Sequence, residues 1–402
     1  MSKTQITVTD EDKDVSLEEI ASDGHGSGLE AERTDESDIR KPFDPELIDV
    51  ITQGQTVSLL LTRLKEEELD LSPDFQRRSN LWNNEAKSAL IESMLLRIPI
   101  PSLYMSEANN GNFTVVDGLQ RMCAIAHFVA VADLNKAVKT KLVPLRLEKL
   151  KSLVEYNDNT FEELPRTLQR RINETVLTLN IIRASTPQEV KFNIFSRINR
   201  GGLPLNAQEI RNAIYPGEWR KNVHDLSTNE AFKIATENKI KGERLEDLEL
   251  ILRFVALYDQ QKTPRPADQN LDQFLNNFVE SSCAKWVPSS WKSVEIAFIR
   301  AMKAAPKIFG KMAFRKYSPP NEARRPINRG LFETESVALA HLSEEQITKL
   351  EPLSKQVIDR FHHYFENDRD FENSLLSATG RGWASNKRFE IINKILMETL
   401  ND

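Results

Sequence analysis

Apolar residues recur at helical spacing in VSLLLTRLKEE (57–67) and NNEAKSALIESMLLRI (83–98), and both stretches predict helices. Asn83 or Asn84 suits the N-cap of the second, and Pro99 and Pro101 forbid its continuation. Between them, LDLSPDFQRRSNLWN breaks the period with Pro73 and a polar run. Ser102–Ser106 and Asn112–Val116 read as strands, and ANNG between them supplies hairpin residues that tolerate positive φ. The stretch VVDGLQRMCAIAHFVA (115–130) closes a buried strand at Asp117-Gly118 and opens a buried helix over about 119–132. Further strands are expected at Val143–Leu147 and Val176–Arg183. A helix is expected over 187–198, with Pro187 in its first turn, and another from Asn206 towards Ile214. Beyond Tyr215-Pro216-Gly217 strand signals vanish, and helical periods fill 244–259, 269–281, 289–304, 343–366 and 385–400.

This pattern gives an α+β domain followed by an α-helical domain. Charge refines the boundaries. The first 40 residues hold 12 acidic and 4 basic side chains, although the whole chain carries only −6. A segment so acidic and so poor in apolar residues cannot repay its ordering entropy. The expected organisation is a disordered acidic tail at 1–42, an α+β domain at 43–218 and an α-helical domain at 219–402. No apolar run is long enough to span a membrane, and MSKTQITVTDEDKD lacks the basic and apolar regions of a signal peptide. The expectation is a cytoplasmic protein without membrane partners. Two cysteines far apart, Cys123 and Cys283, fit a reduced compartment.

Three polar clusters interrupt the first domain. One is Pro73–Arg78, where Gln76 and Arg77 precede a helix N-cap. The second is Asp117-Gly118-Leu119-Gln120-Arg121. The third is Asn199-Arg200-Gly201-Gly202, with Glu209 behind it. In the second cluster a strand ends where a helix begins, which offers free N–H groups to an anion. Gly118 lets the backbone approach a ligand, Arg121 carries a donor fork suited to phosphate, and Asp117 suits a helix cap or a magnesium ion. A capped strand-to-helix turn with a surface arginine is the alternative reading of the same residues.

The stretches PDFQRRSNLW, IESMLLRIPIPSLYM, VVDGLQR and FNIFSRINRGGLPLNAQEIRNA resemble, in order and spacing, the N-terminal domain of GmrSD-type restriction enzymes. That domain is similar to the ParB/sulfiredoxin fold. NRGLFETESVALAH and ATGRGWASNKRFEIINKIL look like the helical half of stand-alone members. The resemblance implies binding of a nucleoside triphosphate with magnesium, its hydrolysis, and a role in DNA processing or phage defence. The implied catalytic residues are Asp117, Gln120 and Arg121. The implied nucleotide-binding residues are Gln76, Arg77, Gly118, Asn199, Gly201, Gly202 and Glu209. The family hallmark Asp-Gly-Gln-Gln-Arg falls on residues 117–121, with leucine at 119, and leucine cannot orient a water. Two alternatives therefore stand beside an NTPase: a non-catalytic DNA-binding or adaptor protein, and a DNA-nicking nuclease. The family's nuclease histidines have no counterpart among His25, His127, His224, His341, His362 and His363, so no zinc is expected and a nuclease or methyltransferase partner is. In the helical half, Arg315, Lys316, Arg324, Arg325, Lys387 and Arg388 are candidate DNA contacts, with a solvated loop as the alternative.

Overall fold

The computed structural model describes residues 18–20, 26–31, 45–71, 82–198, 206–215, 217–242, 244–260, 264–316, 325–376 and 380–402. The chain forms two compact units. One is Ile39–Arg220; the other joins the N-terminal strands to Lys221–Asp402.

The first described elements are two short antiparallel strands, β1 (Glu18–Ile20) and β2 (Gly26–Glu30). The α+β unit follows with β3 (Val50–Thr56), α1 (Val57–Lys65), β4 (Leu69–Asp70), α2 (Asn84–Leu95), β5 (Leu103–Glu107), β6 (Phe113–Asp117) and α3 (Leu119–Val129). It continues with α4 (Val131–Ala137), α5 (Arg166–Glu174), β7 (Val176–Ile182), α6 (Gln188–Ile198) and α7 (Ala207–Ile214). Its sheet is mixed, in the order β3-β7-β5-β6-β4. β3 pairs antiparallel with β7, β7 parallel with β5, β5 antiparallel with β6, and β6 parallel with β4.

Alternation fixes the register. Leu103 and Met105, Phe113 and Val115, and Leu177, Leu179 and Ile181 all enter one core with residues of α1 to α5. Each such side chain contributes roughly 1.5–3 kcal/mol on burial, and a one-residue slip would turn the set away from the core. The hairpin expected at ANNG forms, with Gly111 at φ 81°. Asn83 caps α2 by accepting the Ala86 N–H at 2.8 Å.

The strand expected at Val143–Leu147 does not form. Leu145 and Leu147 are buried, but Leu147 exchanges backbone hydrogen bonds with Asp158 and Asn159 of a neighbouring loop. The alternation there anchors a loop to the core and adds nothing to the sheet. Conversely, β3 was not expected. Its polar core, Thr52-Gln53-Gly54-Gln55, hides a seven-residue pairing with β7.

The helical unit contains α8 (Trp219–Ser227), into which the unit boundary falls, then α9 (Glu230–Ala235), α10 (Glu246–Asp259), α11 (Leu271–Asn277) and α12 (Pro288–Ile308). It ends with α13 (Arg329–Ala340), α14 (Glu344–Leu350), α15 (Ser354–Asn367), α16 (Arg369–Leu376) and α17 (Gly382–Asn401). A π-helical turn, Phe278–Ser282, prolongs α11. Every residue of α13 is buried, against α10, α12 and α17.

The expected disorder of 1–42 does not hold for β1 and β2. Leu29 is fully buried, the Glu30 N–H donates to the Ile327 carbonyl at 2.8 Å, and the Ile327 N–H donates to that of Gly28 at 3.0 Å. Two of the acidic residues that suggested disorder, Glu19 and Glu30, are counterions. The Glu30 carboxylate accepts from Lys316 at 2.5 Å and from Asn328 at 2.9 Å, and Glu19 pairs with Arg329 at 2.5 Å.

Candidate functional site

The turn from β6 to α3 is built around an arginine staple. Arg121 lies one helical turn into α3 and reaches back across the turn. Its Nη2 donates to Asp117 Oδ2 at 3.0 Å, and its Nη1 donates to the carbonyls of Pro101 at 2.6 Å and Ser102 at 3.0 Å. Those carbonyls precede β5, so one guanidinium ties the entry of one strand to the exit of its neighbour. The planar fork of arginine suits this geometry, which a point charge would not reproduce.

Gly118 is the N-cap of α3, in the left-handed region at φ 89°, and α3 has no side-chain cap. A Cβ there would come within 2.1 Å of Leu103 Cδ2 and 3.2 Å of the Arg121 guanidinium carbon. The space that glycine leaves is therefore taken by this chain's own side chains. Leu119 points into the core with 6% exposure. Leu119 is a packing residue of that core. Gln120 is half-buried.

Asp117 keeps 36% of its side chain exposed, against 15% for Arg121. Arg121 takes Oδ2, and among the described residues Oδ1 has no hydrogen-bond partner. Asp117 also stands where the β5–β6 pairing shifts register between Tyr104 and Met105, a distortion that re-aims side chains at strand ends. The turn thus offers an uncapped helix N-terminus of eleven residues and one open carboxylate oxygen beside it. Two expected roles change. Asp117 does not cap α3, and Arg121 has already committed its terminal nitrogens within the chain.

Glu209 is fully buried and closes a capping box with Asn206. Its Oε2 accepts the Asn206 N–H at 2.6 Å, and Asn206 Oδ1 accepts the Glu209 N–H at 2.9 Å. Its described partners give it a structural task. Gln76, Arg77, Asn199, Gly201 and Gly202 lie outside the described residues.

The sequence did not reveal the polar interior around α7. Gln208, Arg211 and Asn212 are all fully buried on that helix, which packs on β6. Arg211 donates to Gln208 Oε1 at 2.5 Å, and Gln208 donates to Asn212 Oδ1 at 2.9 Å. Arg220 is nearly buried and pairs with Asp70 at 3.5 Å. The apolar period of α7, at Ile210 and Ile214, announced only one buried face, and nothing in it marked the others.

Three of the expected DNA contacts of the helical half, Arg315, Lys316 and Arg388, are contradicted by burial. Arg388 is fully buried, paired with Glu333 and donating to the Ser374 carbonyl at 2.6 Å. Arg315 and Lys316 are also buried, facing Glu237 at 3.6 Å and Glu30 at 2.5 Å. Lys387 is held by Asp368 at 3.0 Å and Glu390 at 3.4 Å. Buried cations need counterions, and these have found them inside the chain. Arg325 is half-buried, and Arg324 lies outside the described residues.

Among the described residues no group of three or more histidine, cysteine or acidic side chains could hold a metal ion, and no helix is long and apolar enough to cross a membrane. Cys123 and Cys283 are both buried, and burial pushes each thiol up to about 12. Residues 59–216 match the model of the GmrSD restriction endonuclease N-terminal domain. No curated protein and no solved structure matches the chain.

Proposed function

We propose, from the premise that residues 59–216 form a domain of the GmrSD restriction endonuclease N-terminal family, that the chain is a restriction or phage-defence protein whose α+β unit binds a magnesium–nucleoside triphosphate at the β6–α3 turn. The observation that carries this reading is the uncapped start of α3 beside a carboxylate with one open oxygen. The backbone N–H groups of Leu119 and Gln120 would receive the phosphates, because a helix N-terminus favours negative charge. Asp117 Oδ1 would hold the magnesium ion. Arg121 is then a positioning residue: it fixes the Asp117 carboxylate and the entry to β5. Hydrolysis of the nucleotide, action on DNA and a nuclease or methyltransferase partner complete the reading and rest on the family.

The competing reading is a turn that serves the fold alone, and the engagement of Arg121 within the chain favours it. Calorimetric titration with ATP, GTP and CTP, with and without magnesium, separates the two. Binding by the wild-type chain should need magnesium, and Asp117→Asn should remove that need together with most of the affinity. No binding at about 1 mM nucleotide, or equal binding by Asp117→Asn, would leave only the structural turn.

A further inference from the structure

A cavity of about 650 Å³ opens on the helical unit, far along the chain from the β6–α3 turn. Tyr258 and Asp259 from the end of α10, Trp286 just before α12, Ser290 and Ser293 of α12, and His341 at the end of α13 line it. Its volume lies in the range of small-molecule sites, about 300–1,000 Å³.

The walls are planar and fixed. Phe254, Tyr258 and His341 form a continuous stack, with ring centroids 5.7 Å and 4.9 Å apart and planes within 16° and 15° of parallel. Phe254 and Tyr258 come together because they are four apart on one helix. Trp286 is braced edge-on by Trp291 at 4.9 Å and by Phe278 at 5.5 Å. Rings already held in place lose little freedom when a ligand arrives. Asp259 makes no hydrogen bond or ion pair among the described residues. It brings an acceptor-only carboxylate to the cavity, with burial as the cause that raises its pKa. The two serines add hydroxyls that both donate and accept.

We propose that this cavity is a guanine-binding site. Aromatic walls select a flat heterocycle, which stacks by its π-face. A carboxylate selects a ligand edge with two adjacent donors, because both its oxygens only accept. Guanine presents N1–H and N2–H side by side, whereas adenine and cytosine each set a single amino donor beside a ring-nitrogen acceptor. No lysine or arginine lines the cavity among the described residues, so the base is the recognised element and a phosphate adds nothing. The proposal does not rest on the nucleotide reading of the Asp117 turn.

The test is calorimetric titration of the full chain, free of magnesium, with guanosine, adenosine and cytidine. A nucleoside without phosphate or metal leaves the Asp117 turn out of the measurement. Guanosine should saturate at about 1 mM or below, and adenosine and cytidine should not. Asp259→Asn should weaken guanosine about 10- to 100-fold, the usual loss of hydrogen bonds to a charged acceptor. Trp286→Leu should weaken it about tenfold through lost stacking. A thymine oligonucleotide carrying one guanine separates the sources. Tighter binding than guanosine identifies a base presented by a nucleic acid, and equal binding identifies the free nucleoside. No saturation by guanosine, equal binding of all three nucleosides, or an unchanged Asp259→Asn would overturn the proposal.

Discussion

Gly118→Ala should destabilise the α+β unit by more than its backbone angle explains, and Gly111 provides the internal standard. Both glycines sit in the left-handed region, at φ 89° and φ 81°. A Cβ on Gly111 meets nothing within 4 Å, so Gly111→Ala carries only the conformational cost, about 1–2 kcal/mol. A Cβ on Gly118 falls 2.1 Å from Leu103 Cδ2. Leu103 is fully buried and cannot swing into solvent. Overpacking of that kind adds about 1–3 kcal/mol, giving about 2–5 kcal/mol in all. Asparagine separates the two terms, since it tolerates the left-handed region but still carries a Cβ. Gly111→Asn should be close to neutral, and Gly118→Asn should remain costly. Leu103→Ala should relieve part of the Gly118→Ala penalty, because the two changes act on one space. Urea denaturation followed by circular dichroism compares these variants with the wild-type chain. Equal losses at 118 and 111, or full recovery with Gly118→Asn, would refute the steric argument.

Two further predictions concern buried charge. Arg388→Leu leaves Glu333 without its closest cation and should cost about 3–5 kcal/mol, while the double change with Glu333→Leu should recover part of that loss in the same denaturation assay. Lys87 lies buried with its Nζ 3.4 Å from His127 Nδ1, and burial lowers the pKa of both groups. A base whose folded pKa is depressed binds fewer protons folded than unfolded, so stability rises with pH through the window below the ordinary value. For lysine that window ends at 10.5, and for histidine at 6.5. Thermal melts should therefore show stability climbing through both windows, and Lys87→Met should flatten the alkaline one while leaving the acid-side loss from His127 in place.

Where a segment buries one face, its period was visible and its element could be read. The helices at 57–65 and 84–95, the ANNG hairpin and the strand ending at Asp117 are such cases. α13 escaped because it is buried all round, so Glu333 and Glu335 interrupt any apolar stripe while lying in the interior. Counterions from distant parts of the chain make that possible, and no local window contains them. At the candidate site the residue types of 117–121 marked the right turn but not their allegiance. Whether Arg121 faces a phosphate or two carbonyls depends on where Pro101 and Ser102 lie. That is a matter of strand pairing twenty residues away, not of composition.

The strand pair β1–β2 makes the helical unit discontinuous in sequence, with the whole α+β unit inserted between its parts. During synthesis Glu30 emerges early, and its partners Lys316, Asn328 and Arg329 follow only 286, 298 and 299 residues later. Closing so long a loop costs little more than closing a shorter one, since each doubling adds about 0.6 kcal/mol. The consequence is one of timing. The inserted unit has every residue it needs while most of the helical unit is still to be made. An early-made acidic strand must then find a basic cradle that is made late. Shortening the chain at its beginning would accordingly be felt near its end, where Lys316 and Arg329 would be left facing no carboxylate of that strand pair.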